Sequence, residues 1–220
     1  MKYWSWPDGL IWKLTKAPTV RSRRRKFNLF LREMKPTAQT TVLDVGASSV
    51  ASTDRAENFL EEWYAHPQMI TALVTGDVRI FQERYKKTPV LTGDGLNMPF
   101  RDKEFDVVFS NAVIEHVGDR EAQKQFVTEC LRVGKRVFLT TPSRSFPLES
   151  HTMIPCAHWL PESLRNPIYR ALGRKNEGAP GSLTLLTAAS LRGLFPRDVK
   201  VRIVKQRLLG FVSVLVVITE

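Results

Sequence analysis

Five short apolar runs punctuate the chain, and between them the apolar residues switch to helical spacing. The runs are TVLDV (41–45), ITALV (70–74), PVL (89–91), FDVVFS (105–110) and RVFLT (136–140). Runs this short and this uniformly apolar read as strands covered on both faces, which is the habit of a parallel sheet. Two further runs, 200–205 and 212–219, are separated by a few residues including Leu208-Leu209-Gly210. So close a pair predicts an antiparallel hairpin at the sheet edge. The expected fold class is therefore α/β: a doubly wound seven-stranded sheet, mostly parallel, with an antiparallel C-terminal hairpin.

The helical stretches fill the gaps. Phe27, Phe30, Leu31 and Met34 predict a helix over 22–34, with Ser22 as its N-cap and Pro36 beyond its end. Further helices are expected over 54–65, 78–85, 120–133 (capped by Gly134), 162–172 and 187–194. Residues 143–183 are rich in Pro, Ser and His and read as largely irregular.

Charge divides the chain unevenly. Ten Lys or Arg residues and only Asp8 and Glu33 lie within the first 35 residues, a net +8 of the overall +11. Such a segment suits an anionic partner. It also carries Trp4, Trp6, Ile11, Trp12 and Leu14. Three roles follow, in this order: a helix lidding the site with a solvated basic face, contact with an anionic membrane surface, and nucleic acid by stacking and phosphate contact. The expected organisation is a basic N-terminal extension with a helix (1–38) followed by one domain (39–220). No apolar run reaches membrane-spanning length, the start does not pattern as a signal peptide, and two cysteines make no disulfide framework, so a cytoplasmic location is expected, with peripheral membrane contact as an addition.

In an open parallel sheet, ligands sit at the carboxyl ends of the strands. Four successive strands deliver polar groups or glycine there: Asp44 and Gly46, then Asp77, then Asp94 and Gly95, then Ser110, Asn111, Glu115 and His116. A carboxylate after the second strand can accept from both hydroxyls of a ribose. One after the third can take an exocyclic amine. Gly46 lets backbone approach a ligand where a side chain would block it. The three glycines of a dinucleotide fingerprint and the GKS or GKT of a P-loop are absent, which disfavours a nicotinamide oxidoreductase and a nucleotide hydrolase.

The segments VLDVG (42–46), LTGDGLNMPF (91–100) and FDVVFSNAVIEHV (105–117), with the spacing to RVFLTTP, resemble the class I S-adenosylmethionine-dependent methyltransferases over roughly residues 40–142 and the terminal hairpin. The resemblance implies a Rossmann-like sheet with S-adenosyl-L-methionine across its strand ends, leaving S-adenosyl-L-homocysteine as product. By position, Asp44, Gly46, Ser48 and Asn111 would serve the methionine part. Asp77 with Val78 would serve the ribose, and Asp94 with Gly95 the adenine. The family's loop usually has a second glycine where this chain has Ser48. The segment after the fifth strand, 143–185, would be the lid over an acceptor site.

The activity implied is methyl transfer to a small-molecule or lipid-like acceptor, with oxygen as the preferred target atom. The alternatives are an RNA methyltransferase using the basic arm, and a methyltransferase-like binding module without catalysis. Transfer from a sulfonium needs alignment and a deprotonated acceptor. The candidate general bases are His116 and His151. Glu149, His151, Cys156 and His158 lie close in sequence but match no standard metal spacing, so no metal is expected. The Asn/Asp-Pro-Pro motif seen in methyltransferases of nucleobases and glutamine amides does not follow the fourth strand.

Overall fold

The computed structural model describes residues 10–49, 56–149, 152, 154–173 and 183–220. In chain order the elements are α1 (Leu10–Met34), β1 (Val42–Val45), α2 (Phe59–Trp63), β2 (Ile70–Val74), α3 (Val78–Arg84), β3 (Val90–Thr92), β4 (Phe105–Asn111), α4 (Arg120–Val133), β5 (Gly134–Pro142), α5 (Glu162–Ala171), α6 (Ala188–Arg192), β6 (Val201–Leu208) and β7 (Phe211–Thr219). They build a seven-stranded sheet in the order β3-β2-β1-β4-β5-β7-β6. β1 to β5 pair in parallel, whereas β7 runs antiparallel to both β5 and β6. The order reverses between β1 and β4, the place in such a sheet where loops diverge and a ligand crevice is expected.

Side chains alternate across the strands, so one sequence feeds two cores. Leu43, Val45, Val108, Val137 and Leu139 face α4 and α6, meeting Phe126, Val127, Cys130 and Leu191. Val42, Val107, Phe109, Phe138 and Val216 face α1 and α2. Phe30 of α1 is fully buried there, edge-on to both Phe109 and Phe138 at 5.4 Å between ring centroids. Helix α1 is thus a wall of the core and not an appendage to it.

One expected helix start is corrected, and Gly134 caps α4 as expected, its N–H donating to Cys130 O, but with a different geometry. Helix α1 begins at Leu10, so Ser22 lies inside it and is no N-cap. Pro18 sits within the helix and withholds one backbone hydrogen bond. Gly134 does not close α4 in a left-handed turn; it is extended (φ −105°) and opens β5. A Cβ there would lie 2.6 Å from Val108 Cγ2, so close backbone approach explains the glycine. The other end of α1 is closed from across the sheet. Arg136 donates to the carbonyls of Met34 (3.0 Å) and Glu33 (2.8 Å), two of the groups a helix terminus leaves without partners. Glu33 itself pairs with Arg202 of β6. The start of the helix predicted over 54–65 lies partly outside the described residues.

Emptying the ring cluster removes the contact that seats α1. Phe30→Ala is expected to cost about 3–5 kcal/mol, read as a lowered midpoint in urea unfolding followed by circular dichroism.

Candidate active site

Asp44 follows Val42 by two residues and so faces α1 and α2, where it is buried. It meets Glu61 of α2, whose two carboxylate oxygens are buried with no partner that satisfies good hydrogen-bond geometry. Burial holds the Glu61 carboxyl up at about 7. Burial, and then the neighbouring Glu61 charge, push Asp44 well above the usual carboxylate range. Two carboxyls this close, away from water, retain a proton at neutral pH.

Gly46 ends β1 in the left-handed region (φ 84°), with its N–H donating to Leu73 O at 2.8 Å. A Cβ there would be 2.4 Å from Val113 Cγ2. Gly46 therefore needs to be glycine on two counts, and its exposed backbone faces the crevice. Ser48 has no such requirement, since among residues 46–49 only Gly46 takes a positive φ. The Asn58 side chain clasps Ser48 from both sides, accepting from its N–H (2.8 Å) and donating to its carbonyl (2.9 Å). Ser48 Oγ donates to Glu57 (3.3 Å). The serine that replaces the expected glycine is thus held by α2 and its approach.

Asp77 caps α3, accepting from Arg79 N at 2.9 Å, and its carboxylate also receives the Arg79 guanidinium at 2.5–3.1 Å. Hydrogen bonds from Arg79 hold its carboxyl down at about 2. The pair is exposed, so it is ionised and accessible at the mouth of the crevice beside Val78. Asp94 makes an Asx turn, accepting from Leu96 N at 2.9 Å, and is exposed. Gly95 lies directly on the core: a Cβ would meet Phe126 at 2.8 Å and Val45 at 3.3 Å. The loop carrying both is anchored by Arg132 of α4. Its guanidinium donates to the carbonyls of Phe100 (2.7 Å) and Met98 (2.9 Å) while paired with Glu129, which accepts from Met98 N (2.8 Å).

Asn111 closes β4 and holds the feature that sequence reasoning missed. Its Oδ1 accepts from Lys26 Nζ (2.5 Å) and from Thr140 Oγ1 (2.8 Å). Lys26 belongs to the basic segment expected to be solvated, yet it is only 7% exposed. It lies over the Phe59 ring at 5.5 Å. Burial, with Arg23 nearby, brings the Lys26 amine down to about 7, against a smaller opposing pull from Glu115. The available signal was spacing: Lys26 precedes Phe30 by four residues and so shares its inward face. Ala112, next to Asn111, takes φ 57°, a strained turn at the rim.

His116 lies in a 3-10 turn after β4 and is exposed, whereas the adjacent Glu115 is fully buried and accepts from Thr141 Oγ1 at 2.9 Å. The second candidate base, His151, lies outside the described residues, as does part of the segment expected to form the lid. Past β5, a cleft of about 270 Å³ is lined by Arg144, His158, Leu160, Glu162, Arg165 and Thr184. Thr184 N donates to Glu115 O (2.8 Å), which ties this cleft to the end of β4. His158 and Trp159 both share the Arg144 carbonyl. Among the described residues no three His, Cys, Asp or Glu side chains converge in a way that could hold a metal.

Residues 43–137 match the family model described as a methyltransferase domain. This segment is a methyltransferase domain. The whole fold is similar to solved S-adenosylmethionine-dependent methyltransferases. One is an S-adenosylmethionine-dependent methyltransferase from Methanosarcina mazei (15% identity, TM-score 0.52, covering 84% of this chain and 93% of that one). Another is the magnesium protoporphyrin IX methyltransferase of Synechocystis with bound S-adenosylhomocysteine (10%, 0.61, 99% and 91%). A third is the N-methyltransferase NodS of Bradyrhizobium japonicum (13%, 0.56, 92% and 96%). At these identities the likeness shows the fold and leaves the acceptor open. S-adenosylmethionine is the cofactor of the class, and the residues at the methyltransferase strand ends suit it. Its methionine part carries one ammonium and one carboxylate. Both Glu61 oxygens of the buried Asp44–Glu61 pair are without a well-formed donor, and Lys26 on Asn111 is a buried donor for a carboxylate.

The carboxyl pair has a signature in stability. Glu61 titrates near 4.5 in an unfolded chain and near 7 in the folded one, so between those values the folded protein holds the extra proton and loses stability as pH rises. Each pKa unit is worth about 1.4 kcal/mol, and one kcal/mol moves Tm by roughly 2–4 °C in a chain of this size. Glu61→Gln is expected to raise Tm by several degrees at pH 8 and to change it little at pH 4.5, as read by differential scanning calorimetry.

Proposed function

We propose that this methyltransferase transfers the methyl group of S-adenosylmethionine to an oxygen of a small-molecule or lipid-like acceptor. The observation that carries the reading is the pairing of a buried cation with a buried carboxyl pair at adjacent strand ends, Lys26–Asn111 beside Asp44–Glu61. A zwitterionic amino acid is the ligand that satisfies both at once. Gly46, with no side chain, lets it approach the backbone, and Ser48, clasped by Asn58, holds the shape of the loop around it. Asp77, with Val78 beside it, is the ribose acceptor, and Arg79 fixes its carboxylate in the ionised form that accepting two hydroxyls requires. Asp94 and Gly95 form the adenine end.

Bound there, the cofactor supplies an electrophilic methyl group on a sulfonium. The protein aligns the acceptor and takes its proton. His116 sits on the turn just past Asn111 and is the base within this reading; His151 is the alternative. The cleft after β5 mixes Leu160 with Arg144 and Arg165, which suits an acceptor with an apolar body and an anionic or hydroxylated end. The N-methyltransferase and the porphyrin methyltransferase among the similar structures show that one fold serves different acceptors, so the acceptor rests on this cleft and not on the likeness.

Two measurements test the cofactor site. Lys26 in the free protein is about half protonated near pH 7, and a carboxylate beside it favours the ammonium form. Titration calorimetry at pH 8 in buffers of differing ionisation enthalpy should show proton uptake by Lys26, set against release from the Asp44–Glu61 pair, when S-adenosylhomocysteine binds. In Lys26→Met the uptake should vanish and affinity fall at least about tenfold, the worth of one charge-assisted hydrogen bond; uptake that persists in the variant removes Lys26 from the site. Asp77→Ala should weaken binding by a similar factor while the fold, monitored by circular dichroism, is kept.

A further inference from the structure

The strand directions put a second feature on the same edge as the cofactor site. Since β7 is antiparallel to β5 and β6 is antiparallel to β7, β6 runs with the parallel strands. The β6–β7 turn therefore projects from the edge where β1 and β4 end in Asp44-Val45-Gly46 and Asn111. That turn is apolar and uncovered: Leu208 is 41% exposed, Phe211 51% and Leu209 87%. It is held rigidly in this form. Leu209 (φ 50°) and Gly210 (φ 85°) make a tight two-residue turn, and Arg207 donates to Gly210 O at 2.8 Å. A Cβ placed on Gly210 would meet nothing within 4 Å, so the tip stands clear of the body.

Basic charge surrounds the tip. Arg25 of α1 donates to the Arg207 carbonyl at 3.5 Å, which seats the arginine-rich turn of α1 against the hairpin. Lys205 and Arg207 are exposed on β6 on the approach to the tip, while Arg202 at its far end is paired with Glu33, and no acidic residue occurs from Val199 to Thr219. A second exposed apolar stripe lies on the segment after β5. Leu164 and Ile168 share one face of α5, with exposed Leu160 just before the helix and Leu172 at its end. The start of α5 lines the same cleft as Arg144, two residues past the end of β5.

We infer that the catalytic edge docks on an anionic lipid bilayer, with the Leu208–Phe211 tip inserted among the headgroups and the basic residues of α1 and β6 set against them. The surface fits a bilayer better than the other possible partners. A convex tip of leucine and phenylalanine calls for a soft apolar phase; a protein would have to present a matching pocket. RNA could answer the cations but offers nothing to Leu208 and Leu209. Among the described residues no helix is long and apolar enough to cross a membrane, so the contact is peripheral. The docking does not depend on which acceptor is methylated. Together with the proposed lipid-like acceptor, it would bring the cleft beside α5 to the surface from which such a molecule is drawn.

The test is co-sedimentation of the full chain with vesicles of phosphatidylcholine alone and of equal parts phosphatidylcholine and phosphatidylglycerol. Binding is expected to the anionic vesicles only and to weaken as salt is raised. Leu209→Ser combined with Phe211→Ser should lower the partition at least tenfold, and Lys205→Glu should lower it by a smaller factor. Both should leave S-adenosylhomocysteine binding as in the unaltered chain, which separates docking from the cofactor reading. Undiminished binding by the tip variant would overturn the inference and leave the contact to the basic N-terminal segment. Absence of vesicle binding would overturn it too, as would salt-sensitive binding to RNA with none to vesicles.

Discussion

The seat of α1 on the sheet is the contact from which the rest of the site follows. Phe30 fills the space between Phe109 and Phe138, and Arg136 ties off the helix end. With those points fixed, a residue one turn earlier has no freedom of direction. Lys26 must point at the end of β4, and Arg25 must lie against β6. A helix that looks like a charged appendage in the sequence supplies a core wall, a buried cation at the end of β4 and a basic residue against the hairpin. Each depends on the helix being docked.

Burying charge in this way has a cost that the free protein reduces by shedding charge. Lys26 is partly neutral near pH 7, and Asp44 and Glu61 keep a proton between them. The crevice is therefore less polar at rest than its residue types suggest. A ligand with charges of both signs restores the ionised forms and gains the electrostatic interactions of a low-dielectric site. Proton movement then accompanies binding, independent of any later chemistry.

The sheet was legible because parallel strands are short, apolar and separated by helical periodicity. Residues 70–74 and 120–133 were read with the bounds the structure gives, and the hairpin was found from Leu209-Gly210. The polar strand ends were legible for the same reason, since they interrupt apolar runs. What the sequence hid was set by long-range packing. Ser22 argued for a helix start that the rest of α1 overrides. Gly134 caps α4, but close approach to Val108 explains why it is glycine. Glu61 and Asn58 carry no motif; their roles depend on α2 folding back over the loop after β1. Lys26 was hidden among like charges, and only its register with Phe30 marked it.

Gly95 couples the cofactor crevice to the interior more directly than any hydrogen bond does. Its backbone rests on the Phe126 ring and on Val45, with no room for a single carbon between them. The floor of the proposed adenine end is thus the outer surface of the α4 core, one layer thick. A change in the shape of that core, even one that leaves the fold as stable as before, displaces the floor by a comparable distance. For the proposed site the buried Phe126 acts as a tuning screw, and variation there would be felt in ligand selectivity before it was felt in thermal endurance.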